Sequence, residues 1–186
     1  MGLSRVAKKT WIIVGGQLEL RSFRKRCAGC RVSLLPGAHA EMAHKGLAKQ
    51  IAAALRPFAS QISNVIVVLD REGSEKIASE LEGAIEGHVS RLTDIELCVV
   101  CPDRMIENWM LADVVAIKSK SYIRKTAKQK QYEGTHGKQE LKKLFVGSKA
   151  YRETSHGVEM MCLVRSSQGS KNSPSFAKFM KALSDN

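Results

Sequence analysis

The run Val65-Ile66-Val67-Val68-Leu69 is apolar at every position and ends abruptly in Asp70-Arg71-Glu72-Gly73. An uninterrupted apolar run of that length predicts a strand buried on both faces, as in a parallel sheet. Behind it Ile77, Leu81, Ile85, Val89 and Leu92 recur at spacings of three and four, which predicts a helix from an N-cap at Ser74 to Leu92. The same succession occurs twice more. Trp11-Ile12-Ile13-Val14 meets Gly15-Gly16 and then a basic helix carrying Leu18, Leu20 and Phe23. Ile95 to Val100 is stopped by Pro102 and followed by a helix over Met105 to Asp113. Arg31 to Leu35, closed by Pro36-Gly37, reads as a short strand, and Ala40 to Leu55 as an Ala-rich helix.

Three strand-helix units within 115 residues define an α/β fold: a parallel sheet flanked by helices. Beyond Ile117 the pattern changes. Lys118, Lys120, Arg124, Lys125, Lys128 and Lys130 follow closely, and no clear strand pattern returns. Lys138 to Phe145 and Ser175 to Leu183 read as helices, Val158 to Arg165 fits helix or strand, and Ser166 to Pro174 reads as a polar linker. The expected organisation is an α/β core over residues 1–117 and a basic, mainly helical extension over 118–186, packed together as one domain.

Charge sharpens this division. The net charges of residues 1–60, 61–117 and 118–186 are +9, −7 and +10, an acidic middle between two basic flanks. That distribution suits a metal-dependent enzyme acting on a polyanion, with carboxylates at the metal and Lys or Arg along the phosphates. Glu75, Glu80, Glu82 and Glu86 are expected to form only the wet face of their helix. No apolar run is long enough to span a membrane, and the first residues offer neither a secretory apolar region nor a myristoylation signal, so a cytoplasmic location is expected.

Candidate chemistry gathers where strands end. Asp70 and Glu72, two apart in extended backbone, would point to one side and could hold Mg²⁺ or Mn²⁺ through oxygen ligands. Glu107, entering a helix just after the sheet's carboxyl edge, could reach the same metal or be a solvated first-turn carboxylate. Cys27/Cys30 and Cys98/Cys101 have the spacing of zinc ligands, but residues three apart on a strand face opposite sides, so reduced thiols are expected. His136 and His156, each in a hydroxyl-His-Gly triplet, are further catalytic candidates.

Four segments in order, Ile12-Ile13-Val14-Gly15-Gly16-Gln17-Leu18-Glu19, Val67-Val68-Leu69-Asp70-Arg71-Glu72, Ile106-Glu107-Asn108-Trp109-Met110-Leu111-Ala112-Asp113 and Asn172-Ser173-Pro174-Ser175-Phe176, resemble the small RloB-like proteins of the Toprim class. The resemblance implies a Toprim-like, Rossmann-like fold and Mg²⁺-dependent cleavage of nucleic acid, often beside an ATPase partner in bacterial defence against phage. By position it makes Asp70 and Glu72 the metal pair, Glu107 the acid of the third motif and Glu19 the second acid of the first. Gly15 stands where that family has its leading Glu, and glycine can neither bind a metal nor move a proton.

Two classes of function therefore stand open: a metal-dependent nuclease using Glu19, Asp70, Glu72 and Glu107, or a catalytically silent nucleic-acid-binding or assembly subunit that keeps the fold. Arg124, Lys125, Lys128, Lys149 and Arg152 are the candidate phosphate contacts in either case, and a homo-oligomer is compatible with both. A third reading has the basic surface dock an acidic protein.

Overall fold

The computed structural model describes residues 9–37, 43–147 and 150–185. Four strands, β1 (Lys9–Val14), β2 (Arg31–Leu34), β3 (Ile62–Val68) and β4 (Leu97–Val100), form one all-parallel sheet in the order β2-β1-β3-β4. Their register sets Ile12 between Val32 and Ile66, and Val14 between Leu34 and Val68. The first three helices, α1 (Gln17–Arg26), α2 (His44–Leu55) and α3 (Ala78–Val89), connect the strands. This is the α/β, Rossmann-like architecture that the apolar runs predict.

Strand alternation sorts the core into two layers. Ile12, Val14, Ile66, Val68 and Val100 face α1 and the C-terminal helices, while Trp11, Ile13, Val65, Val67 and Val99 face α2 and α3. The helices answer in kind: Leu47, Ile51 and Leu55 of α2 and Leu81, Ile85 and Val89 of α3 are fully buried. Beyond β4 follow α4 (Glu107–Leu111), α5 (Val114–Ile117), α6 (Gly137–Leu144), α7 (Val158–Leu163), α8 (Ser166–Asn172) and α9 (Pro174–Ser184). Phe23 of α1 and Trp109 of α4 meet Phe179 of α9 at ring-centre distances of 4.9 and 5.2 Å, so the closing helix is part of the main core. Among the described residues no helix is long and apolar enough to cross a membrane.

Several elements differ from expectation for identifiable reasons. Ser74 does not cap α3, which begins at Ala78. The Arg71 guanidinium donates to the carbonyls of Ser74 and Lys76 and pairs with Asp103, which holds the preceding segment in turns. Ile77 and Leu92, the ends of the predicted stripe, lie outside the helix, which runs only from Ala78 to Val89, and are exposed. The helix expected over Met105 to Asp113 is the shorter α4, and the chain starts a separate helix, α5, beyond it, where Asp113 is the N-cap that accepts from the Ala116 N–H while Arg165 grips its carboxylate. The expected linker is α8, sealed by contacts its polar sequence does not advertise: Arg26 donates to the carbonyl of Val164 and to Ser166, and Asn172 to the carbonyl of Ala112. Val158 to Leu163 is helical, and the predicted start of α2, residues 40–42, lies outside the described residues.

Glu82 and Glu86 are not a wet face. Glu86 accepts the Val99 N–H at 2.7 Å and Glu82 the Cys101 N–H at 2.8 Å, so two carboxylates one helical turn apart serve two outward N–H groups at the edge strand β4. Lys178 of α9 neutralises Glu82. Glu75 and Glu80 are exposed as expected. All five cysteines are free thiols, and burial raises those of Cys27 and Cys101 above the ordinary range.

The packing gives opposite expectations for two helical glycines. A Cβ on Gly137 would lie 1.9 Å from the Asn108 Oδ1, whereas one on Gly83 in α3 meets open space. Gly137→Ala should cost about 1–3 kcal/mol and Gly83→Ala should stabilise by about 0.5–1 kcal/mol, both read by urea unfolding; similar values for the two would contradict this packing.

Candidate active site

In a parallel sheet of order β2-β1-β3-β4 the connections leave β1 and β3 in opposite directions, and the crevice at their carboxyl ends is the place where such sheets take ligands. A cleft of about 210 Å³ opens there. Its walls are Gly16, Gln17 and Glu19 after β1, Asp70 and Glu72 after β3, Met105 to Glu107 after β4, and Lys138, Glu153 and Thr154 from the C-terminal part.

Each acid arrives by a different local device. Gly15 extends β1 by donating its N–H to the Val68 carbonyl, and Gly16 is the extended N-cap of α1. Glu19, in the first turn, folds back over Gly16: a Cβ at that glycine would lie 2.2 Å from the Glu19 Oε2. The missing side chain at position 16 is what lets Glu19 enter the cleft, only 7% exposed. Asp70 follows β3 directly, and its Oδ1 is buried without a hydrogen-bond partner. Glu72 does not reach the cleft by strand alternation, because β3 ends at Val68 and Glu72 has a left-handed backbone with φ of 45°. Its N–H donates to the carbonyl of Arg104, itself left-handed at φ of 77°, so two strained loop residues brace each other beside the cleft.

Glu107 opens α4 and is 4% exposed, with its Oε1 accepting from the Tyr151 hydroxyl at 3.2 Å. It is not a solvated first-turn residue. Asn108 beside it donates to the carbonyls of Asp103 and Thr135, which ties the loop after β4 to the approach to α6. Lys138, one residue inside α6, donates its N–H to the Met105 sulfur and pairs its ammonium with Glu153 across the opening.

Crowded carboxylates resist ionisation. Burial, then the charges of Glu107, Glu153 and Glu72, lift Glu19 from the ordinary 4.5 to about 7, against a bond from its own backbone N–H. Asp70 is held well above its usual range by burial and by Glu19, Glu107 and Glu72, while the Ile106 N–H favours its charged form. Burial also raises Glu107, opposed by its own N–H and by Tyr151. Lys138 is the only cation lining the cleft among the described residues, and its pairing with Glu153 keeps it charged.

The fold thus assembles all four acids singled out in the sequence: Glu19, Asp70, Glu72 and Glu107. Of the expected phosphate contacts, the four among the described residues do not line the cleft. Arg124 and Lys125 turn their side chains to the carbonyls of Phe145 and Lys118, Lys128 is exposed, and none of the three lines the cleft. Arg152 is exposed beside Glu153, and Lys149 lies outside the described residues. His156 packs at a tilt against Tyr122 and Phe145 and accepts the Arg152 N–H, and His136 precedes α6 with its Nδ1 buried and unpartnered; neither lines the cleft. Sequence reasoning did not single out Tyr151, Lys138 or Glu153 for this site, and nothing in their spacing announces it. Among the described residues no group of three or more His, Cys, Asp or Glu side chains stands so that it could hold a metal ion. No family model, curated protein or solved structure matches the chain.

The raised acid at position 19 makes stability fall as pH rises. Below about 4.5 it is protonated both folded and unfolded; between there and about 7 only the unfolded chain ionises, so the penalty grows and is complete above that. In chelator, Glu19→Gln should therefore gain up to roughly 3 kcal/mol relative to the parent between about pH 5 and about pH 8. Parallel stability–pH curves for the two proteins would contradict the burial of this charge.

Proposed function

We propose that the chain is a Toprim-like, metal-dependent nuclease that hydrolyses phosphodiesters of nucleic acid. The observation that carries this reading is the meeting of Glu19, Asp70, Glu72 and Glu107, from the segments that follow β1, β3 and β4, in one cleft at the β1/β3 switch point. The four-segment resemblance to RloB-like proteins adds the substrate class and, with it, an ATPase partner and a role in anti-phage defence inside the cell.

The chemistry of the donors suits Mg²⁺ or Mn²⁺, although their side chains would have to draw together to hold the ion. Both are hard cations that seek carboxylate oxygens, and the cleft offers a buried Asp70 oxygen with no partner and a group of carboxylates that mutually oppose ionisation. Asp70, Glu72 and Glu107 would hold the ion, which supplies a more acidic water and Lewis acidity at the phosphoryl oxygen. Tyr151 fixes the Glu107 carboxylate by its hydroxyl bond. Glu19, with a carboxyl near neutrality, can exchange a proton at physiological pH. It stands in for the acid that Gly15 lacks, because it turns back over Gly16 instead of projecting from the strand end. Lys138 offsets phosphate charge at the opening.

Plasmid DNA and total RNA, incubated with Mg²⁺ or Mn²⁺, test this. The parent should cut and chelator should stop it, with Asp70→Asn lowering the rate at least about 100-fold and Glu19→Gln about 10²–10⁴-fold. A folded parent that never cuts, or cutting indifferent to Asp70→Asn, would overturn the nuclease reading. Cutting gained only on Gly15→Glu would mark a disabled nuclease and favour the binding-subunit alternative.

A further inference from the structure

We propose that the exposed face of α1 carrying Arg21, Arg24 and Lys25 is a track for a nucleic-acid backbone that leads into the carboxylate cleft; the identity of the polymer rests on the nuclease reading. These residues, at i, i+3 and i+4, share one side of the helix. All three are exposed, and none has an acidic partner within ion-pair distance among the described residues. Among the described residues the one hydrogen bond that their side chains make is a weak one of 3.5 Å from Arg24 to the carbonyl of Val32.

The face is continuous with the site. Arg21, Arg24 and Lys25 form one wall of a groove of about 520 Å³ whose other wall includes Thr154, Ser155 and Glu159. Thr154 lines both this groove and the carboxylate cleft. On the helix itself Gln17, one turn before Arg21, lines the cleft. A row from Gln17 through Arg21 to Lys25 spans about 12 Å along the axis and joins the two. The single acid of the groove, Glu159, is already engaged by the Tyr122 hydroxyl at 2.8 Å and by Lys120 at 3.4 Å.

Complementing the helix dipole explains only part of this charge. Arg24, Lys25 and Arg26 stand in the last turn, where cations are favoured, but Arg21 stands outside it. Arg26 shows what a structural cation looks like here, since it points the other way and bonds the carbonyls of Met161 and Val164. The carboxylate cleft repels a polyanion, so a strand that reaches it needs cations just outside, which the groove provides.

Fluorescence anisotropy of a labelled oligonucleotide, single-stranded and duplex, over a range of salt in chelator reads this without cleavage. Arg21→Ala/Arg24→Ala/Lys25→Ala should weaken binding at least about tenfold and flatten the log–log salt slope by about 2–3, near 0.9 per lost phosphate contact on a duplex. The control triple Arg124→Ala/Lys125→Ala/Lys128→Ala should change affinity less than about threefold, and Arg21→Glu alone, outside the last turn of α1, should weaken binding with an unchanged thermal midpoint. An α1 triple that binds like the parent, a control that loses as much, or a parent that binds no nucleic acid would overturn the track. A parent that binds through α1 but never cuts would remove the nuclease reading and leave the track standing; a parent that cuts while the α1 triple binds normally would do the reverse.

Discussion

A parallel sheet has no wet face, and that constraint organises this molecule. Each strand must return over one side or the other, so β1, β3 and β4 are apolar on both faces and helices cover them from two sides. The chain always re-enters the sheet in the same direction, so the segments following β1, β3 and β4 share one edge. Glu19, Asp70, Glu72 and Glu107 each lie within nine residues of a strand end and meet there for that reason.

Assembling the cleft opposes solvation at every step. Glu19, Asp70 and Glu107 are brought together where water is partly excluded, with Glu72 exposed beside them, and burial is the largest cause of the raised affinity of those three for protons. The chain offsets only part of this, through Tyr151, the neighbouring backbone N–H groups and Lys138. The left-handed Glu72 and Arg104 add strain at the same place. Natural sequences tolerate conflict of this kind mainly where a site needs it.

The C-terminal part is bound to the core by polar groups as much as by apolar ones. Phe176 and Phe179 complete the aromatic cluster around Trp109 and Phe23, while Asn64 reaches the Ala182 carbonyl and Lys178 reaches Glu82 at the sheet edge. Arg26 and Asp113 tie α7 and α8 to the first half of the molecule. Residues 150–157 thereby come to rest over the cleft and supply Tyr151, Glu153 and Thr154 to it.

Local pattern was enough for the strands, for most of α1, α2 and α9 and for the acids at strand ends, because burial period and strand termination are written within a few neighbouring residues. Gly16 shows the limit: it is readable as a turn, but its use, making room for the Glu19 carboxylate, depends on where the side chain folds. Glu82 and Glu86 look like solvent-facing helix residues until β4 offers them N–H groups. Ser166 to Asn172 looks like a linker until Arg26 and Ala112 satisfy its ends. Tyr151 lies 44 positions from Glu107, and the basic row of α1 shares its groove with Thr154, which comes from the far end of the chain. The sequence by itself determined the α/β class and which acids stand at strand ends; tertiary structure alone decided their partners, their protonation and the cations beside them, because those depend on contacts between segments far apart in the chain, and no local period encodes them.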